Sequence, residues 1–278
     1  MIPQNVTHLI QEGGIEKNMA LMPTVFLSHG MPAIVVQPGP THNFLKTLGQ
    51  MFDRPRAVIC VSAHMEAVCP ILTAAEAPET IHDFSGPPIL FEKHYPAPGQ
   101  PDLAQEAVSL LSQAGFKAQT HPARGLDHGA WVPLMLMYPE ADIPVIQLSV
   151  QTELDPQHHL ELGRALAPLR EKGVLILGSG GATHNLPEIY NYDVDSVPPD
   201  YAMEFDAWLK EAITTGQEVA LLNYQNEGPS ASRNHPYPAE HFLPLFVPLG
   251  AAGSGTKGRL LHQAFMYGVL SMAAYAWD

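Results

Sequence analysis

The stretch PVIQLSVQTELDPQHHLELGRALAPLREKGVLILG, residues 144–178, decides the fold class. Pro144–Val150 and Val174–Gly178 are short aliphatic, β-branched runs with the length and composition of buried strands. Between them Asp155 can cap free backbone N–H groups, and Pro156 suits the first helical position, where an N–H would have no partner. Gly173 can supply the left-handed stop, which together predicts a helix over Asp155–Lys172. Leu162, Ala165, Leu166 and Leu169 recur there at helical spacing and give the helix one face to bury. His158 and His159 fall in its first turn and are expected on the exposed surface.

Working outward, Thr24–Ser28 and Ala57–Ala63 read as further buried strands, and Pro101–Ala114 as a second helix. That helix has Leu103, Ala107, Leu110 and Leu111 on its inner side and Gly115 to end it. The alternation predicts an α/β fold: one domain with a central, largely parallel or mixed sheet and helices on both faces. Leu260–Ala276 reads either as a pair of closing strands or as a strand and a helix. With 278 residues the chain can bury a sizeable core, and it divides into an N-terminal arm, 1–22, and a single domain, 23–278. Trp131 and Tyr138 sit at helical spacing and are expected in the core.

Against 28 acidic residues stand 14 Lys plus Arg, a formal charge of −14 that repels phosphate backbones and anionic lipid headgroups. Nucleic acid and membrane are therefore excluded as partners. No apolar stretch approaches the roughly 20 residues that span a bilayer. The arm has no basic start followed by an apolar core, so the expected location is cytoplasmic. The two cysteines are Cys60, inside a strand, and Cys69, and both are expected as reduced thiols.

Histidine is abundant: 14, as many as Lys and Arg together. Three fall where a strand is expected to end, namely His29, His64 and His184, and ligands of open α/β sheets gather at that edge. Any one of them alone is more often a hydrogen-bonded structural residue, but three at strand ends favour a metal. Glycines 178, 180 and 181 would let backbone approach closely there. No His-Glu-x-x-His helix and no Cys-x-x-Cys pair is present, so spacing does not name the metal. The Pro/Gly-rich segments Ala77–Gln100 and Asn223–Ala239 are expected to wall a pocket, with His82, Asp83 and His94 shaping its substrate end.

From Met22 onward the chain resembles the class III extradiol ring-cleavage dioxygenases, in their 4,5-DOPA dioxygenase branch. The resemblance is carried by Leu27-Ser-His-Gly-Met-Pro32, Val61-Ser-Ala-His64, Thr80-Ile-His-Asp-Phe84, His94-Tyr-Pro-Ala-Pro-Gly99, Leu126-Asp-His-Gly-Ala-Trp131 and Met137-Tyr-Pro139. Further blocks are Ile143-Pro144, Gln147-Leu-Ser149, Gly178-Ser-Gly180 with His184-Asn-Leu186, and Glu240-His-Phe-Leu-Pro244. It implies that residues 23–278 are the catalytic domain, with His29, His64 and His241 as metal ligands and Glu240 as the fallback for His241. His184 is implied either over the metal's open face or as a further ligand, and His128 as the second acid/base residue. The implied reaction is opening of a DOPA-like catechol ring with O2 on non-haem Fe(II), and Zn(II) can occupy the same nitrogen site.

The chemistry asks for these residue types. A catechol binding through both oxygens, with dioxygen beside it, leaves room for about three protein ligands on an octahedral ion. Neutral imidazoles preserve the metal's Lewis acidity. Histidine can also take up and return the catechol protons near neutral pH, with an expected contribution of about 10²- to 10⁴-fold; here His184 is the expected base and His128 the expected acid or oxygen-side hydrogen-bond donor. Two other readings remain compatible with the residues, a zinc hydrolase using the same imidazoles and a non-catalytic binding protein of the same fold.

Overall fold

The computed structural model describes residues 21–278. Of the expected arm, only Leu21 and Met22 fall within the described residues, and Met22 is buried, its backbone N–H donating to the carbonyl of Arg170.

Ten strands are found among the described residues: β1 (Thr24–Ser28), β2 (Ala57–Glu66), β3 (Ile71–Thr73), β4 (Gln119–His121), β5 (Val145–Val150), β6 (Val174–Gly180), β7 (Arg259–His262), β8 (Phe265–Met266), β9 (Leu270–Ser271) and β10 (Ala274–Trp277). The helices are α1 (Pro40–Leu48), α2 (Pro88–Phe91), α3 (Pro101–Gln113), α4 (His128–Met137), α5 (Pro156–Leu166), α6 (Asp200–Thr215), α7 (Glu218–Leu222), α8 (Tyr224–Glu227), α9 (Ala231–Asn234) and α10 (Phe246–Ala252). None is long and apolar enough to cross a membrane.

Eight strands form one sheet in the order β4-β3-β5-β2-β6-β1-β10-β7. The central four, β5-β2-β6-β1, are parallel, whereas β10 and β7 add antiparallel on one side and β3 runs antiparallel to β5 on the other. The sheet is therefore mixed, with helices on both faces. The period of two along each strand shows why both faces must be covered. In β2, Val58 and Cys60 join the core beneath α1 and α4, while Ala57, Ile59 and Val61 join the opposite core with Leu103 and Ala107 of α3 and Leu162 and Leu166 of α5. Val174 and Ile176 against Leu175 and Leu177 repeat the alternation in β6.

The segment that predicted the fold behaves as read at both ends. The Asp155 side chain accepts from the backbone N–H of His158, Pro156 opens α5, and Gly173 adopts the left-handed conformation at φ 74°. The helix is split, with α5 ending at Leu166 and Ala167–Lys172 continuing as a tighter 3₁₀ turn around Pro168. His159 corrects the expectation of exposure: it is fully buried. Its Nδ1 faces the Asp155 carbonyl at 3.0 Å and its Nε2 accepts from the N–H of Gln151 at 3.1 Å, so the ring closes the β5–α5 connection. His158 is half-buried, with Nε2 3.0 Å from the Gln151 amide oxygen. Trp131 and Tyr138 are buried, Cys60 and Cys69 are free thiols, and Leu260–Ala276 forms strands rather than a helix.

Candidate metal centre

The carboxyl ends of the central parallel strands bring the first three histidines together. His29 directly follows β1, and His184 follows β6 after a short turn. β2 runs three residues past its expected end at Ala63, and its register with β5 slips between Val61 and Glu66, so His64 sits in an irregular stretch that can re-aim a side chain. His241 reaches the same place from the segment before α10. The N–H of Gly181 donates to the carbonyl of His241 at 2.8 Å, and a Cβ on Gly180 would lie 2.1 Å from that carbonyl oxygen. Only glycine at 180 lets this segment seat so closely.

The nitrogens of three rings converge. His64 Nε2 lies 3.1 Å from His29 Nε2 and 3.2 Å from His241 Nε2. The far side of each outer ring fixes its tautomer. His29 Nδ1 is 3.0 Å from Ser179 Oγ, whose own proton goes to the Gly129 carbonyl, so His29 Nδ1 is the donor. His241 Nδ1 is 2.8 Å from the Glu240 carboxylate, which can only accept, so again Nδ1 carries the proton. Both therefore turn bare Nε2 lone pairs toward His64, whose Nε2 carries one proton at most and so can answer only one of them, whereas a cation among the nitrogens answers all three. The spacing suits one ion: ligands about 2.1–2.2 Å from it are about 3.0–3.1 Å apart at right angles and about 3.4–3.6 Å apart at the tetrahedral angle.

More donors border this trio. Ligand atoms of His29, His64 and His128 lie within 4.8 Å of one another, as do those of His184, Glu240 and His241, and the two contacts of His64 Nε2 join the groups into one belt. The nitrogen contacts, being shorter and directional, define the centre better than the groupings do. His128, the first residue of α4, is buried, and its Nδ1 donates to Asp83 Oδ1 at 2.9 Å while its backbone N–H donates to the same oxygen at 3.0 Å. His184 lies flat on His241, with ring centroids 3.4 Å apart and planes 9° from parallel.

Burial, reinforced by neighbouring imidazoles, keeps His29, His64, His184 and His241 uncharged. It pulls His29 and His241 well below the usual imidazole range, His64 to about 4 and His184 to about 3. For the Asp83 carboxyl, burial pushes upward, but the side-chain and backbone hydrogen bonds from His128, with the neighbouring imidazoles adding to them, outweigh it and bring the value to about 2.

A family model described as the catalytic LigB subunit of aromatic ring-opening dioxygenase matches residues 22–277. This chain belongs to the LigB family. A Beta vulgaris protein named 4,5-DOPA dioxygenase extradiol is 45% identical over 260 residues, which covers 91% of this chain and 95% of the relative. An Escherichia coli K12 protein of the same name is 41% identical over 235 residues, 83% of this chain and 85% of its own. The crystal structure of an uncharacterised E. coli K12 protein matches with a TM-score of 0.76 at 34% identity, covering 92% of this chain and 100% of that one. The LigB-family chain is therefore a metal-dependent extradiol dioxygenase that opens catechol rings, and the hydrolase and non-catalytic readings are not favoured.

In this LigB-family chain the five imidazoles form the floor of a cavity of about 450 Å³. Asp83 lines it, but the other two residues expected at the substrate end do not. His82 is 2.9 Å from the Lys93 carbonyl among Phe84, Phe91 and Trp131, and His94 stands exposed beside it. Of the two expected walls, Ala77–Gln100 contributes Asp83–Ser85, whereas Asn223–Ala239 folds into α8 and α9 and borders a separate cavity of about 710 Å³. The second wall is instead Leu186–Tyr190, in the 3₁₀ segment Leu186–Asn191 that opens two residues after His184. Its apolar residues stay partly exposed because they roof an opening.

A buried polar tier under the floor was also missed. Asp127, fully buried, accepts from Ser62 Oγ at 2.6 Å, Gln147 Nε2 at 2.7 Å and Arg124 at 3.3 Å, tying α4 to β2 and β5. The usable signal was position: Asp127 adjoins His128, and Ser62 stands two residues before His64 on the same strand face.

Proposed function

We propose that His29, His64 and His241 hold a catalytic Fe(II) and that the chain cleaves the ring of a DOPA-like catechol with O2. The observation that carries this is the meeting of three Nε2 atoms through His64, beside two further imidazoles and inside one cavity. Fe(II) bound there supplies Lewis acidity toward the two catechol oxygens and redox access to dioxygen. Ser179 and Glu240 hold the ligand rings in the tautomers that present Nε2. Glu240 is engaged with His241 Nδ1, which supports imidazole rather than carboxylate as the third ligand.

Proton handling falls to the remaining pair. His184 is uncharged, stacked on His241 and borders the cavity, so it offers a lone pair to a catechol hydroxyl and acts as the base. His128 has Nδ1 committed to Asp83, which leaves Nε2 as the atom that returns a proton. Asp83 thereby acts as a positioning residue for His128. Zinc, which binds nitrogen donors at least as tightly as Fe(II), can occupy the same centre without supporting oxygen chemistry. The free thiols Cys60 and Cys69 support a reducing, cytoplasmic setting.

The test is reconstitution. Metal-free protein loaded anaerobically with Fe(II), then given L-DOPA or simple catechols in air, is expected to consume oxygen and form a yellow ring-opened product. Zn(II)-loaded protein is expected to do neither. Activity with Zn(II) alone on an ester or amide would reverse the assignment in favour of hydrolysis.

A further inference from the structure

We infer that a small pocket beside His29 and His184, distinct from the catechol cavity, takes dioxygen, and that an apolar path past Met272 and Met266 supplies it. This rests on the dioxygenase reading and names how the second substrate reaches the same centre.

The pocket, of about 20 Å³, lies at the ends of β1 and β6, where His29, Met31 and His184 border both it and the catechol cavity. That volume suits a single molecule of very few atoms. Leu270 and Met272 supply its apolar side. Its three hydroxyls have their protons committed: Ser28 Oγ donates to the Ala273 carbonyl at 3.0 Å, Thr183 Oγ1 to the Val269 carbonyl at 2.9 Å, and Ser271 Oγ to the buried Asp206 carboxylate. Each also accepts one backbone N–H, from Ala182, Ser271 and Ala273 respectively. A water held here finds no hydroxyl free to donate to it, whereas an uncharged apolar molecule needs no such partner.

A way in from solvent lies on the side of the β8–β9 hairpin, where a further cavity of about 520 Å³ is lined by Ile34, Phe265 and Met266. Met266 borders this larger space and Met272 the small pocket, and their thioethers meet at Gly30. A Cβ on Gly30 would lie 2.5 Å from Met272 Cε, 3.1 Å from Met272 Sδ and 3.8 Å from Met266 Sδ. Glycine at this left-handed position, φ 63°, therefore leaves the space to the two methionines. Both side chains are unbranched and flexible, so rotation about their own bonds opens the gap with the backbone unmoved. Dioxygen, small and apolar, partitions into such a lining, and a catechol seated in the other cavity does not stand in its way.

The experiment uses xenon as an apolar stand-in of known position. Crystals of the Fe(II)-loaded protein, kept anaerobic under xenon pressure, are expected to show xenon against Leu270 and Met272; none there overturns the inference. Leu270→Phe is expected to displace the xenon and raise KM for O2 about fivefold, while the anaerobic Kd of catechol by calorimetry stays within about twofold. An unchanged KM for O2 in a folded variant that has lost the xenon overturns the supply role. Met272→Leu, similar in volume but stiffer, serves if Leu270→Phe does not fold, with a rise of about threefold expected. Failure of the parent reading looks different: no oxygen is consumed at any O2 pressure although xenon occupies the pocket of the wild type, which ends the supply role with it.

Discussion

Two regions of this molecule bury histidines next to strand ends, and they differ in what the rings face. At the β5–α5 junction, His159 has both ring nitrogens answered by backbone groups, Asp155 on one side and Gln151 on the other. At the edge of β1, β2 and β6, the Nε2 atoms of His29 and His241 both face the single Nε2 of His64, which carries one proton at most and so cannot answer both. Both sets are out of water and uncharged. What separates a structural imidazole from a ligand is whether its inner lone pair has a neighbour that can donate, and burial alone says nothing on that point.

The sharpest way to break this contrast is to delete one ring on each side. His64→Ala removes the nitrogen that touches both others, so bound metal after dialysis, read by elemental analysis, is expected to fall to background and turnover with it. His159→Gln is expected to leave the metal content unchanged; loss of metal in that variant would erase the distinction. Next in size is His128→Ala, for which a fall in kcat of about 10²- to 10⁴-fold is expected at retained metal content. Asp83→Asn should show a smaller fall with the pH profile displaced, because it acts through the His128 ring.

The third effect is on stability. Burial first, and the adjoining His158 among lesser influences, leave His159 at about 4 against 6.5 in the unfolded chain, although the Asp155 carbonyl and side chain oppose this. The folded value lies below the unfolded one, so the neutral ring's stabilisation is complete above pH 6.5 and is lost as pH falls through about 4. The size is about 3 kcal/mol. Urea unfolding across that range should give a steeper decline for the wild type than for His159→Gln, and equal slopes would refute the burial argument. Smallest is Glu240→Ala, where the His241 tautomer loses its anchor and metal affinity is expected to drop about 10- to 100-fold in a chelator competition.

Much of the scaffold was legible before any coordinates. Asp155, Pro156 and Gly173 bounded a helical segment through local chemistry, and the aliphatic runs of β1, β2, β5 and β6 marked strands that need cover on both sides. His29, His64 and His184 were found because strand ends can be read from pattern. His241 was found only by likeness to a family, since the segment before α10 has no strand to announce it. The burial of His159 was illegible, because helical spacing reports which face a residue takes and not whether its ring turns back onto the preceding strand. The Asp83–His128 pairing joins residues 45 positions apart, which no local rule connects. The Leu186–Tyr190 wall carries no such local signal, because loop length and Pro/Gly content point to Asn223–Ala239 instead.

The seating of His241 on β6 reaches beyond this one chain. Position 180 has room for a hydrogen atom and nothing larger against the carbonyl of His241, and position 178 stands in the same relation to the carbonyl of Pro244. The depth of the fourth histidine-bearing segment is thus set by main chain against main chain, with no side chain available to adjust it. Divergence among related enzymes is expected to spare those two glycines and to accumulate in the overhanging 186–190 segment, so that new preferences arise by rebuilding the roof over an unmoved floor.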